Sequence, residues 1–75
     1  MKLDRITVEP GKMDGQPCIR GTRLTVRRVV EIVADYTNRE EIRLDYPALG
    51  DEDIRQALLY AAAAVEDRTE ELVGV

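Results

Sequence analysis

The 75 residues include 15 acidic and 11 basic side chains, a single cysteine and no histidine, for a net charge of −4. A chain of this length builds one domain and buries only about 60% of its unfolded surface, so very regular helix packing or a second subunit has to supplement the core. One cysteine without histidine excludes an internal disulfide and a zinc site, the acid–base inventory is too poor for an enzyme, and the lack of a long apolar run or a signal-like start predicts a cytoplasmic chain with no membrane association.

In chain order, Arg5–Glu9 alternates and is β-branched, which predicts a short strand stopped by Pro10-Gly11. Lys12 to Pro17 is turn material, with Asp14-Gly15 as its tightest point. Cys18-Ile19-Arg20 is extended, Gly21-Thr22 breaks the run, and Arg23-Leu24-Thr25 resumes it. Two such strands need a helix beneath them or a strand of another chain beside them, and the pattern leaves open whether they pair within one chain. Thr25 is a suitable N-cap for a first helix reaching about Tyr36, with Val26, Val29, Val30 and Val33 on its core face and Ile32 and Tyr36 flanking. Asn38 followed by Glu41 resembles a capping box and opens a short second helix anchored by Ile42. Pro47 ends it, because the residue before proline is pushed out of the helical region, and Tyr46, Leu49 and Ala48 are expected to close over the core. A third helix starts at Gly50 or Asp51, where three consecutive carboxylates complement the positive end of the helix dipole. Its core stripe is read as Ile54, Ala57, Leu58, Ala61, Ala62 and Val65, and a second face carries Gln56, Leu59, Tyr60 and Ala63.

Charge divides along the same lines. Residues 1–28 carry a net +4 and residues 29–75 a net −8, which suggests two partner surfaces or simple internal complementarity. The whole reads as one mainly α domain: a β arm with an arginine-bearing loop (1–24), a three-helix unit compatible with a helix-turn-helix arrangement (25–65), and an acidic tail (66–75).

The stretch "RITVEPGKMDGQPCIRGTRLTV", followed by "REEIRLDYPALGDEDIRQALLYAA", closely resembles domain-of-unknown-function family 433. The shared G-x-P-x-I-x-G-T-R element is met by Gly15, Pro17, Ile19, Gly21, Thr22 and Arg23, and the later E-E-I-x-x-D-Y-P-x-L element by Glu40, Glu41, Ile42, Asp45, Tyr46, Pro47 and Leu49. The resemblance implies a trihelical, homeodomain-like helix-turn-helix fold with an amino-terminal β arm. It also implies an antitoxin-like role, beside a PIN-like ribonuclease toxin.

The residues themselves supply candidate surfaces. Gly15, Pro17 and Gly21 shape the loop, and Arg20, Arg23, Arg27 and Arg28 can offer guanidinium forks to phosphate or to an acidic partner. A nuclease of the PIN type holds metal with clustered carboxylates, which an inserted arginine can neutralise. The plain structural alternative has Arg20 or Arg23 capping carbonyls or pairing with the acidic half. On the third helix Arg55, Gln56 and Tyr60 are candidates to reach base edges of operator DNA, although its acidic start repels phosphate. Cys18 lacks a base and reads as a small buried hydrophobe. "PGKMDG" lacks the lysine–serine pair of a phosphate cradle, so no cofactor is expected. A homodimer is expected from the small core and the Leu59/Ala63 face. A regulator with no toxin partner is the competing reading.

Overall fold

The structure, a computed structural model, describes residues 2–65. It is mainly helical, with three helices and a small two-stranded antiparallel sheet. In order these are β1 (Ile6–Thr7), β2 (Cys18–Ile19), α1 (Val26–Asp35), α2 (Arg39–Asp45) and α3 (Asp51–Ala64). The expectation for the acidic tail lies outside the described residues.

β1 and β2 pair within the chain, Ile6 opposite Ile19 and Thr7 opposite Cys18. The first strand is shorter than its alternation predicts. Val8, which has no partner in the ladder, is 56% exposed. A bridge between Cys18 and Thr25 brings the chain back beside β2 just before α1. Between the strands, Met13, Asp14 and Gly15 follow one another in the left-handed region, at φ 50, 58 and 77°. That tight turn is closed by Gly15 N–H to the Lys12 carbonyl and Gln16 N–H to the Met13 carbonyl. Glycine accepts this conformation without steric cost and aspartate tolerates it, so the backbone strain falls mainly on Met13.

α1 begins as its sequence dictates: the Thr25 hydroxyl accepts from the Arg28 N–H at 3.1 Å. Its core face differs from the expected one. Val26, Val29 and Ile32 are buried, whereas Val30 and Val33 are only partly covered. Residues at i, i+3 and i+6 point at α3, and the larger Ile32 takes the central place that valine spacing alone assigned to Val30 and Val33. Asn38 caps α2 by accepting from the Glu41 N–H at 3.0 Å, while the Glu41 carboxylate takes the Thr37 hydroxyl.

The core is a single cluster of Ile19, Val26, Val29, Ile32, Ile42, Leu49, Ile54 and Ala57. α1 packs principally on α3, with Ile42 of α2 and Leu49 of the following turn sealing one side. Ala48 is exposed rather than closing the core, because the turn after Pro47 directs Leu49 inward instead. Ala62, Ala63 and Val65 are also exposed, since α3 runs past the end of α1's apolar face.

Candidate functional site

From Gly15 to Val30 the chain carries four arginines and no carboxylate. The backbone of this stretch is fixed from inside. Thr22 N–H closes a tight turn onto the Ile19 carbonyl at 3.0 Å, with Gly21 at φ +76°. The Thr22 hydroxyl donates to that same carbonyl at 2.9 Å and accepts from the Leu24 N–H at 3.0 Å. Pro17 offers its carbonyl to the Val26 N–H, tying the loop to the first turn of α1. Pro17, Gly15 and Gly21 therefore shape the loop, and no side chain leans on Gly21: nothing lies within 4 Å of where a Cβ would sit.

The four guanidiniums are all exposed and differ in their commitments. Arg20 donates from Nε to the Asp4 carbonyl at 2.7 Å, the capping role foreseen as its structural alternative. Arg27 and Arg28 approach Glu31 from the next turn, each at 3.7 Å, and Arg28 also donates to the Tyr46 hydroxyl at 3.3 Å. Arg23 makes no hydrogen bond or ion pair through its side chain among the described residues. Exposed pairs at such distances are weak and easily exchanged for a better anion.

The three residues of α3 read as candidates to reach base edges are placed differently. Arg55 is exposed and pairs with Glu52 at 3.0 Å. Gln56 is buried and belongs to a polar latch that holds the β arm. Its Oε1 accepts from the Arg5 N–H at 2.7 Å, and its Nε2 donates to Asp4 and to Glu52, each at 2.8 Å. Gln56 is thus corrected from an outward-facing reader to an internal support, since its amide is spent within the fold. Tyr60 lies partly buried against the core and does not stand free beside Arg55. Asp53, read from sequence only as dipole complement, is a second part of the latch. Its carboxylate accepts from the Gly50 N–H at 2.9 Å and from Arg5 Nε, so one side chain both caps α3 and anchors the arm. The hydrogen bond from Gln56 draws the Asp4 carboxyl below its ordinary value of 3.8, and the bond to Asp53 raises the Arg5 guanidinium.

The family model for a protein family of unknown function, DUF433, matches residues 6–61, which contain both the arginine loop and the N-caps of all three helices. The chain belongs to the DUF433 family. A crystal structure of a DUF433 member from Anabaena variabilis is similar to it with a TM-score of 0.71 and 32% sequence identity over 80% of this chain. The chain spans 59% of the length of that protein. No curated protein matches it.

Two further features of this DUF433 member lie away from the loop. An open groove of about 540 Å³ is lined by Arg39, Asp51, Arg55, Leu58 and Leu59. At the carboxyl end of α2, the Tyr36 hydroxyl donates to Asp45 and its ring meets that of Tyr46 edge-on at 6.1 Å. The bond to Asp45 pushes the Tyr36 phenol up to about 12. Among the described residues no group of three or more metal-ligating side chains comes together, and no helix is long and apolar enough to cross a membrane.

Proposed function

We propose that this DUF433 member is a cytoplasmic, non-enzymatic, antitoxin-like regulator that binds and neutralises a PIN-like ribonuclease toxin through its arginine-bearing loop. The observation that supports this reading is the loop itself. Arg20 and Arg23 stand exposed on a backbone pinned by Thr22 and Gly21, Arg27 and Arg28 follow on the first turn of α1, and Arg23 has no internal partner among the described residues. A rigid loop loses little entropy on docking, and a guanidinium fork matches the paired oxygens of a metal-binding carboxylate cluster. Arg23 is assigned the inserted position, and Arg20, Arg27 and Arg28 the surrounding contacts.

The test is direct. Each PIN-like ribonuclease of the source cell is purified, and its cleavage of RNA is followed with and without this chain. Stoichiometric inhibition by the wild type, weakened about tenfold or more by Arg23→Ala, supports the reading. Equal inhibition by wild type and Arg23→Ala, or none by either, overturns it.

The second reading is a stand-alone regulator with a homeodomain-like helix-turn-helix, using α2, the turn after Pro47 and α3. Its support is that the same guanidiniums suit phosphates. The acidic start of α3 sets Asp51 and Glu52 where a groove-reading helix presents donors, so DNA contact is assigned to Arg23, Arg27 and Arg28, with Arg55 as the contribution of α3. This reading requires affinity for upstream DNA that falls steeply with salt and is lost on Arg27→Ala or Arg28→Ala.

A further inference from the structure

Arg28 is fixed at both ends. Its backbone N–H donates to the Thr25 hydroxyl at 3.1 Å, and its guanidinium donates from Nη2 to the Tyr46 hydroxyl at 3.3 Å. Tyr46 is itself braced: it packs against the core, and its ring meets that of Tyr36, whose hydroxyl is tied to Asp45. Asp45 and Tyr46 belong to the E-E-I-x-x-D-Y-P-x-L element, which has no part in the loop itself. Through Arg28 they reach the arginine surface. The effect shows in exposure: the Arg28 side chain is 48% exposed, whereas that of Arg27, one residue earlier, is 82% exposed. Both arginines converge on Glu31. Arg27 Nε approaches one carboxylate oxygen and Arg28 Nη1 the other, each at 3.7 Å. That is beyond hydrogen-bond length, so Glu31 balances the two charges without saturating either fork.

We infer that Arg28 is a preset contact for a partner carboxylate, with Tyr46 as its positioning residue and Glu31 as the internal counter-ion that the partner displaces. This rests on the arginine surface proposed above to meet an acidic partner, and it says how that surface is set. A free arginine loses rotamer entropy when it binds, and the bond to Tyr46 reduces that loss in advance. Tyr46 engages Nη2 and leaves Nη1 to an incoming acid. Glu31 opposes that acid by its charge, so replacing it with the neutral isostere strengthens binding.

The experiment is a titration of the full chain with a hexaglutamate peptide at low ionic strength, followed by NMR on the arginine Nε–H signals. The variants are Tyr46→Phe, Glu31→Gln, Arg28→Ala and the double variant Arg28→Ala with Tyr46→Phe. The wild type binds and the Arg28 signal shifts. Tyr46→Phe keeps the ring and the melting temperature but weakens binding about threefold, and Glu31→Gln tightens it about threefold. Once Arg28 is alanine, Tyr46→Phe has no further effect, which a merely structural tyrosine would not produce. If Tyr46→Phe melts well below wild type, Glu31→Gln decides alone: tighter binding supports the inference and unchanged binding overturns it. No binding by the wild type, or a Tyr46→Phe loss that persists without Arg28, also overturns it. The expected hexaglutamate pattern in a chain that inhibits no PIN-like ribonuclease supports the Arg28 contact and removes only the toxin. Inhibition that is indifferent to both Tyr46→Phe and Glu31→Gln overturns the inference and leaves the toxin reading standing.

Discussion

Replacing Gln56 tests how the β arm is held. Gln56 is buried, and its side chain makes three hydrogen bonds to groups on the arm and on α3. Gln56→Ala removes the only acceptor among the described residues for the Arg5 N–H, a partly buried amide, at a cost of about 1–2 kcal/mol. The two bonds from Nε2 go to carboxylates that regain water, so they add little. The lost packing of the side-chain methylenes brings the total to about 2 kcal/mol. In a domain of this size that lowers Tm by roughly 8–16 °C. Gln56→Glu separates the contributions. It keeps an acceptor for Arg5 but sets a carboxylate against Asp4 and Glu52, so it destabilises near neutral pH and recovers as the pH falls and the carboxylates take up protons. Urea unfolding followed by circular dichroism gives the free energies, and amide exchange at Arg5 reports the local opening. A Gln56→Ala protein within about 0.5 kcal/mol of wild type, with the Arg5 amide still protected, refutes the latch.

Three other perturbations follow from particular contacts. Gly21→Ala costs about 1 kcal/mol from the positive φ alone, because an added Cβ meets no atom within 4 Å; a neutral result in thermal melts contradicts the turn geometry. Ile42→Ala empties a fully buried site between α2 and the rest of the core, and chemical denaturation should show a loss of about 2–4 kcal/mol, with less than about 1 kcal/mol counting against α2 as the lid. Tyr36 is held protonated by Asp45, so its bond contributes fully below the ordinary phenol value of 10.0 and is lost as pH rises through about 12. Alkaline absorbance titration should show a late tyrosinate that is missing in Tyr36→Phe, and a wild type with no such late step would exclude the bond.

The elements that local chemistry controls are legible in the sequence. Thr25 and Asn38 act as the caps their types and positions announce, and Pro47 ends α2 where a proline must. Ile42 and Leu49 are buried as expected, although the apolar neighbour Leu44, which is 76% exposed, offered the same composition. What stayed hidden depends on partners far along the chain. Gln56 meets Asp4 and Arg5 across 52 and 51 positions, and Asp53 meets Arg5 across 48, so no window of sequence contains both ends. A signal was nonetheless present: Asp53 and Gln56 directly neighbour Ile54 and Ala57, the most buried pair on α3, and polar residues there need internal partners. The choice between Ile32 and Val33 likewise turned on how α1 is rotated against α3, which valine spacing alone does not determine. The arginine loop could be read as cationic, but which arginines were committed internally could not. Arg20 found a carbonyl contributed by the arm, and only the fold placed the two together.

The separation in sequence that concealed the latch also orders events in time. α1, α2 and α3 follow one another through short turns and bury their shared core from neighbouring segments, whereas the arm must close a loop of about fifty residues to reach Gln56. The three helices are therefore the natural nucleus, and the arm docks after the rate-limiting barrier has been crossed. Substitutions at Gln56 should then leave the refolding rate nearly unchanged and express their whole effect as faster unfolding. The arm acts as a late fastening on a helical unit already assembled: it sets how long the folded state lasts, and hardly how fast it forms.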